Sequence, residues 1–357
     1  MSDRPITVAL DVMGSDHGVE PMVEGAARFS LESRDVEVLL VGDASAVHAA
    51  LQTQRHDASC LAVVAADGGV QPNEDFRAAL EERPDCSTHL CARLVSDGRA
   101  DAMVSAAPTG AVILAASGGM KRLPGVRRSA LAAVYPTERR HGPRQDPFAL
   151  MLDVGATVHA TAADLVRFAV MGSTYAQIIS GNPEPKVALL SNGAETSKGT
   201  QAIIEAHEWL ASSNLVAFAG NVEGLDIPRG TVDVVVCEGF LGNVVLKMLE
   251  GVGEVVADLA KDAYARRFLW RLGLTMLSSG VRQLRTMTDW KQYGGAPLLG
   301  LDGVVVKAHG RSNPRAVRNA LKVATKAVRG DLTGKIAAGL AEATAAGWFD
   351  ESPEGED

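Results

Sequence analysis

The stretch Val232–Lys247, VDVVVCEGFLGNVVLK, constrains the fold more than any other part of the sequence. Its apolar first part, Val232–Cys237, is broken only by Asp233, as expected for a strand covered on both faces. Two glycines then allow a turn, and Asn243 is a candidate N-cap for a helix that begins at Val244. A strand that passes through such a turn into a helix directs main-chain N–H groups and a helix dipole at one place. That place suits an anion.

The same pattern recurs along the chain, where short apolar runs alternate with helical periodicity. Further strands are predicted at Ile6–Leu10, Val36–Val41, Leu61–Ala65, Ala102–Val104, Ala130–Tyr135, Phe148–Leu152, Lys186–Leu190 and Val216–Phe218. The polar stretch Pro136–Pro147 is predicted to be a loop. This alternation predicts an α/β fold with a doubly wound, mostly parallel sheet and helices on both faces. Ligands of such sheets bind beyond the carboxyl ends of the strands, where the glycine-rich motifs of this chain fall, so we expect these motifs to converge on one cleft.

Composition narrows the class of protein. A net charge of -8 argues against a general nucleic-acid binder. The four cysteines have neither metal-site spacing nor a disulfide framework, which favours reduced thiols in a cytoplasmic protein. Met1–Pro5 runs directly into a strand, without a signal peptide, and no apolar stretch reaches the ~18–20 residues that span a bilayer. We predict one α/β catalytic domain over residues 1–346, with a protruding helical segment at about 248–290 and a disordered acidic tail at 347–357.

One segment departs from the α/β pattern. Residues 263–288 contain no acidic side chain, while basic and large apolar residues alternate there. A basic amphipathic helix is typical of a helix that lies on a membrane surface, here the inner face of the cell membrane, and a helical hairpin that packs on a second subunit is the other interpretation. The two are compatible. The residues assigned to this membrane or dimer helix are Arg266, Arg267, Phe268, Trp270, Arg271 and Leu272.

Several common catalytic motifs are missing from the sequence. No GxGxxG follows the first strand and no GxxxxGK[ST] occurs, which argues against a standard dinucleotide site or P-loop. HExxH and GxSxG are missing as well, so a zinc peptidase or a serine hydrolase has no support.

Taken together, seven motifs of the chain resemble those of the phosphate acyltransferase (PlsX) family. They run in one unbroken order between about residues 6 and 346. The motifs are LDVMGSDHG, SAAPTGA, LDVGAT, GAETSKG, GNVEGLDI, VDVVVCEGFLGNVVLK and YGGAPLLGLDGVVVKAHGRS.

The resemblance implies a reaction and an assembly. Enzymes of this family make acyl phosphate from fatty acyl-[acyl carrier protein] and inorganic phosphate, and a glycerol-3-phosphate acyltransferase uses the product in phospholipid synthesis. The implied fold is that of isocitrate and isopropylmalate dehydrogenases and of phosphate acetyltransferases. The implied assembly is a homodimer with its cleft near the subunit interface. No cofactor or metal is implied.

The chemistry of this reaction agrees with the residues at hand. Phosphate already carries nucleophilic oxygens, and a thiol with a pKa of about 8.5 leaves readily as thiolate. The site must hold a dianion beside a carbonyl and stabilise the oxyanion that develops, for which lysines and clustered N–H donors suffice. Lys198, Lys307 and His309 lie inside glycine-rich motifs and are the predicted catalytic residues. His309 is a candidate acid, a donor to the carbonyl oxygen, or a structural histidine.

The remaining candidates are predicted to bind phosphate or substrate, or to hold the loops that do. Ser105 and Thr109 supply hydroxyls, Gly294 and Gly295 permit close backbone approach, and Asn313 followed by Pro314 is typical of a helix start. For the first loop, a structural role and a catalytic one stay open. The predicted binding set is Asp11, Asp16, His17, Ser105, Thr109, Asp153, Glu195, Asn221, Glu223, Asn243, Gly294, Gly295 and Ser312.

The chain departs from the family's usual residues within these motifs. The departures are Ala107, Pro108, Thr157, Ser191, Ala194 and Thr196. They leave two alternatives open: a coenzyme A-dependent short-chain phosphate acyltransferase, and a catalytically weakened paralogue that binds acyl carrier protein. A dehydrogenase on a related fold has less support, because the sequence has neither a metal-binding aspartate pair on one helix nor an arginine-rich substrate motif.

Overall fold

The computed structural model describes residues 4–266 and 294–348. Within these ranges the strands are β1 Ile6–Asp11, β2 Val36–Gly42, β3 Leu61–Ala65, β4 Ala102–Ser105, β5 Ala130–His141, β6 Asp146–Leu152, β7 Lys186–Leu190, β8 Ala217–Val222, β9 Val234–Val236, β10 Ala296–Leu299 and β11 Val304–Lys307. The helices are α1 Glu20–Ser30, α2 Ala44–Gln52, α3 Phe76–Glu82, α4 Ser87–Ser96, α5 Thr109–Gly119, α6 Ala162–Ile179, α7 Gln201–Ala211, α8 Asp226–Arg229, α9 Gly239–Arg266, α10 Pro314–Arg329 and α11 Leu332–Ala345. The α/β fold with a mostly parallel sheet, predicted from the sequence, is confirmed.

All of these strands join one sheet, in the order β3-β2-β1-β4-β11-β10-β5-β6-β9-β7-β8. Strands β3, β2, β1, β4 and β11 pair in parallel, and so do β6, β9, β7 and β8. Between the two groups, β11–β10, β10–β5 and β5–β6 pair antiparallel. Three reversals leave the two parallel groups running in opposite directions, so their carboxyl ends do not share one edge of the sheet. The expectation that all glycine-rich motifs meet at one spot is therefore wrong in that simple form.

Helices cover both faces of the sheet, as the buried strands require. One hydrophobic cluster joins the strands to α1, α6, α10 and α11, and the other joins them to α4, α5 and the first turns of α9. Helix α6 begins at a capping box in which Thr161 and Asp164 satisfy each other's main-chain N–H groups. Asn313 caps α10 by accepting from the N–H of Ala316 at 2.9 Å, with Pro314 at the first helical position, as predicted.

The polar stretch after Tyr135 is not a loop, because β5 continues to His141 and forms a hairpin with β6. Polar side chains are accommodated there by pairing with one another. His141 Nδ1 lies 3.3 Å from Asp233 Oδ1, and both side chains are largely buried. The sequence pattern suggested a solvated loop, since it does not reveal which buried polar groups become partners.

The strand and helix boundaries predicted for Val232–Lys247 are wrong. Strand β9 is shorter than predicted and α9 begins at Gly239, which leaves Asn243 exposed in the second turn rather than at the N-cap. The helix starts early because Thr157 Oγ1 accepts from the N–H of Gly239 at 3.2 Å. A hydroxyl from another loop thus replaces the local cap that the sequence seemed to require.

Several predictions fall beyond the described residues. Arg267, Phe268, Trp270, Arg271 and Leu272 lie outside them, and Arg266 is the last residue of α9, so the membrane or dimer helix stays a prediction. Residues 349–357 of the predicted tail are outside as well, whereas Trp348 packs against the core and does not belong to a tail. Over the two described ranges, no helix is both long and apolar enough to cross a membrane.

Candidate active site

Three loops at the carboxyl ends of β1, β4 and β11 pack against one another, and we call their meeting point the Lys307 corner (residues 11–18, 105–109 and 307–312). The N–H of Asp16 donates to the carbonyl oxygen of Gly310 at 2.9 Å. A Cβ on Gly14 would stand 2.5 Å from the main-chain nitrogen of Ala107, so only glycine lets the first two loops touch. The packing brings together motifs whose contacting residues are between 94 and 295 positions apart in sequence.

Asp11 holds this corner together from inside. Its buried carboxylate accepts from the N–H groups of Met13 and Gly14, from Thr88 Oγ1 at 2.7 Å and from Ser105 Oγ at 2.6 Å. Ser105 also accepts from the N–H of Ala107. The hydroxyl proton of Ser105 is thus used within the fold. Asp11 and Ser105 position the loops rather than facing a ligand.

Lys307 ends β11 and is half-buried at this corner. Its Nζ donates to the carbonyl oxygens of Ala106 and Ala308, which orient the ammonium between the second and third loops. Burial lowers the pKa of Lys307 to about 8, against the opposing charges of Asp16 and Asp11. A desolvated ammonium with main-chain partners suits a site that has to take up an anion.

His309 lies two residues beyond Lys307. Its Nδ1 accepts from the N–H of Arg311 at 3.1 Å, so a neutral ring carries its proton on Nε2. Burial and the positive charges of Lys307 and Lys247 lower the pKa of His309 below 6.5. The imidazole is therefore mainly neutral at pH 7 and is suited to donate a hydrogen bond from Nε2.

Two residues of α9 reach the same corner and were missed by the sequence reasoning. Lys247 and Glu250 pair at 2.9 Å, and their charges act on the pKa of His309, Lys247 lowering it and Glu250 raising it. The only sequence signal was their separation of three residues on one helix face, which is common on helix surfaces. Helix α9 thus extends from the second parallel group of strands to the first.

The loop after β6 forms a second centre, which we call the Asp153 loop (residues 153–157). The Asp153 carboxylate accepts from the N–H groups of Leu131, Gly155, Ala156 and Thr157 at 2.8–3.0 Å, and burial raises its pKa. A Cβ on Gly242 would meet the carbonyl oxygen of Asp153 at 1.9 Å. Asp153 therefore orients this loop against the start of α9, as expected for a positioning residue.

The loop after β7 carries Lys198 and Glu195, both exposed. The methylene groups of Lys198 lie over Gly193, where a Cβ would meet Lys198 Cγ at 2.8 Å. Asn221 holds the loop by donating from Nδ2 to the carbonyl oxygen of Glu195 at 3.0 Å, while its Oδ1 contacts His207 Nδ1. Asn221 is buried and lies inside β8, so it supports the loop from below.

The other predicted residues occupy varied positions. Thr109 opens α5, which begins without a side-chain cap, while Asp16 and His17 are exposed and Ser312 is buried. Gly294 and Gly295 have positive φ, and a Cβ on either would meet main-chain oxygens of Asn319 or Lys307 at 2.5–2.6 Å. The two glycines thus allow close approach of the protein's own main chain. Glu223 is half-buried, and its N–H donates to Asp226 Oδ2.

A cleft of about 430 Å³ lies between the loop after β7, α7 and the first turns of α9. We call it the α9 cleft. Four of its lining residues are apolar and three are polar but uncharged, and two glycines complete the lining. The apolar residues are Leu190, Ile203, Leu241 and Val245, the polar ones are Ser191, Asn192 and Thr200, and the glycines are Gly199 and Gly224. Within residues 4–266 and 294–348, no group of three or more His, Cys, Asp or Glu side chains is arranged to hold a metal ion.

Comparison with known proteins adds to this geometry. Residues 6–335 match the model of a family described as "Fatty acid synthesis protein". A phosphate acyltransferase from Myxococcus xanthus is 41% identical over 350 residues, which cover 98% of this chain and 97% of that protein. A phosphate acyltransferase from Desulforudis audaxviator is 40% identical over 335 residues, which cover 94% of this chain and 96% of that protein.

Solved structures agree on the fold. A phosphotransacetylase from Streptococcus pyogenes superposes with a TM-score of 0.61 at 18% identity, over 91% of this chain and 94% of that one. A branched-chain phosphotransacylase from Enterococcus faecalis superposes with a TM-score of 0.52 at 16% identity, over 90% of this chain and 99% of that one. At such identities the similarity concerns the fold alone. From the family model and the close relatives, this chain belongs to the phosphate acyltransferase family and is an acyltransferase.

Proposed function

We propose that this protein transfers the acyl group of fatty acyl-[acyl carrier protein] to inorganic phosphate, making acyl phosphate for phospholipid synthesis. The observation that carries the proposal is the Lys307 corner, where a desolvated ammonium and a neutral histidine lie beside the uncapped start of α5. Membership of the phosphate acyltransferase family supports the same assignment.

Phosphate binds at this corner in our proposal. Lys307 Nζ is near the carbonyl oxygen of Ala106, three residues before α5 begins at Thr109. Pro108 leaves the first N–H groups of α5 without a side-chain acceptor. An ammonium and the N–H groups of a helix start together form a dianion site without a metal.

The reaction then needs one attack and one departure. A phosphate oxygen attacks the thioester carbon, and the carbonyl electron pair moves onto its oxygen. When that pair returns, the carbon–sulfur bond breaks and the thiolate leaves with the bonding electrons, to be protonated by solvent. His309, with its proton on Nε2, donates to the oxyanion, a contact that is stronger in the transition state than in the ground state.

We further propose that α9 pairs with α9 of a second copy. Over the described part of this helix, a line of apolar side chains at helical spacing is 48–64% exposed: Phe240, Val244, Met248, Val252, Val255, Val256 and Leu259. An apolar surface of this length is typical of an interface. In sedimentation, we expect a dimer for the wild type and a monomer for Val252→Glu, while Leu225→Glu, at an exposed leucine off α9, stays dimeric. A monomeric wild type would contradict the pairing.

One assay tests the proposed function. The protein is incubated with palmitoyl-[acyl carrier protein] and phosphate, and acyl phosphate is trapped with hydroxylamine as the hydroxamate. We expect phosphate-dependent hydroxamate. Product only with short-chain acyl-coenzyme A would indicate the coenzyme A-dependent alternative, and no product with either donor would indicate a non-catalytic protein that binds acyl carrier protein.

A further inference from the structure

We infer that the α9 cleft holds the distal part of the donor's acyl chain and makes the enzyme favour long chains over short ones. This inference rests on the proposed transfer of a fatty acyl group. Four apolar side chains line the α9 cleft. Leu190 ends β7, Ile203 is in the first turn of α7, and Leu241 and Val245 are one turn apart on α9. Such a lining suits a hydrocarbon chain and offers no charge to a polar ligand.

The cleft and the Lys307 corner adjoin the same part of α9. Val245 lines the cleft and Lys247 follows two residues later, and the charge of Lys247 acts on the pKa of both Lys307 and His309. From Leu241 to Lys247 the helix rises by roughly 9 Å. Val245 and Lys247 are about 200° apart around the helix, so an acyl chain whose thioester carbonyl lies at His309 passes around α9, a width of about 10 Å, before it enters the cleft.

The volume fits a long chain rather than a short one. The cleft measures about 430 Å³. A methylene group is about as large as a water molecule, which takes up ~30 Å³, so the cleft has room for roughly a dozen carbons. An acetyl group would leave it almost empty. Each methylene that enters strengthens binding by roughly fourfold, which makes chain length a strong determinant of specificity.

Gly224 offers a clean way to fill the cleft. It borders the cleft, and a Cβ placed on it would meet no atom within 4 Å, so a side chain can begin there without displacing protein atoms. Gly118 on α5 is the matched control, because its Cβ would also meet no atom within 4 Å and it is not part of the cleft. A second variant, Val245→Trp, narrows the cleft from the α9 side.

The test compares kcat/KM for a palmitoyl and a butyryl donor in wild type, Gly224→Phe, Val245→Trp and Gly118→Phe. We expect both cleft variants to lose at least tenfold with the palmitoyl donor and to stay within twofold with the butyryl donor, while Gly118→Phe resembles wild type. An unchanged preference in both folded cleft variants would overturn the inference.

Direct binding separates this inference from the proposed function. A fluorescent long-chain fatty acid, cis-parinaric acid, is titrated into the same four proteins. Binding that weakens at least tenfold in the cleft variants, but not in Gly118→Phe, supports the cleft even if the wild type transfers no acyl group. Equal binding in all four proteins overturns it, whatever the transfer assay gives.

Discussion

Replacing Lys307 with methionine should have opposite effects on activity and on stability. Burial lowers the pKa of Lys307 from 10.5 to about 8, so at pH 7 the folded protein holds a charge that the fold disfavours. In the unfolded chain, Lys307 keeps its proton up to about pH 10.4. Its charge therefore lowers the free energy of unfolding below pH 8, and this loss of stability disappears as the pH rises from 8 to 10.4. Methionine keeps much of the side-chain volume and removes the charge.

The magnitude follows from the size of the shift. Each pKa unit corresponds to about 1.4 kcal/mol, which gives an upper limit of about 3 kcal/mol for this shift. Lys307 is only half-buried, and Asp16 and Asp11 lose a nearby cation in the variant, so we expect the free energy of unfolding at pH 7 to rise by about 1–2 kcal/mol. Acyl transfer should fall at least tenfold, because losing a charge-assisted contact to phosphate costs about 2 kcal/mol.

Two measurements on one variant test this reasoning. Urea denaturation at pH 7 gives the free energy of unfolding, and the hydroxamate assay gives kcat/KM for phosphate. Lys335→Met, at an exposed lysine on α11, is the matched control and should change neither quantity. Wild-type activity in Lys307→Met would refute its role at the site. A marked loss of stability would refute the assignment of a desolvated ammonium.

Three further predictions concern pH, packing and a helix cap. In the wild type, KM for phosphate should rise above about pH 8 as Lys307 loses its proton, while KM for the acyl donor stays constant; equal changes in both would contradict a phosphate contact. In urea denaturation, Gly242→Ala should cost at least ~2 kcal/mol, because its Cβ meets the Asp153 loop, whereas Gly251→Ala, whose Cβ meets no atom within 4 Å, should not destabilise. Asn313→Ala should lower the melting temperature through a loss of about 1 kcal/mol at the cap of α10, and an unchanged melting temperature would argue against that cap.

The sequence predicted a helix cap correctly where the capping residue is next to the helix in sequence. Asn313 and Pro314 cap α10 as predicted, because the cap and the N–H that it accepts are within three residues. The prediction for the start of α9 was wrong, because the hydroxyl that accepts from the N–H of Gly239 belongs to Thr157, in a loop far away in sequence. A hydroxyl supplied by the fold cannot be read from the neighbours of the helix that it caps.

In the candidate site, too, the sequence predicted some features and left others unresolved. Three of the glycine-rich motifs lie in the loops that pack together at the Lys307 corner, and Lys307 and His309 lie together at the end of β11. The sequence did not separate residues that support the loops, such as Asp11 and Asp153, from residues that face a ligand, because both kinds are polar and follow strands. Burial and hydrogen-bond partners separate them.

The reversal of strand direction was also beyond the sequence reasoning. Alternating strands and helices indicate parallel pairing, but the hairpin of β5 and β6 and the insertion of β10 are set by long-range pairing. As a result, α9 rather than one sheet edge connects the Asp153 loop with the Lys307 corner. This explains why Lys247 and Glu250 emerged only from the structure.

The proposed reaction requires that phosphate itself attacks the acyl thioester. The most direct measurement is mass spectrometry of the product formed from phosphate labelled with oxygen-18 on every oxygen. We expect acyl phosphate that retains all the labelled oxygens. Free fatty acid without labelled acyl phosphate would mean that water is the acceptor and that the protein does not transfer the acyl group to phosphate.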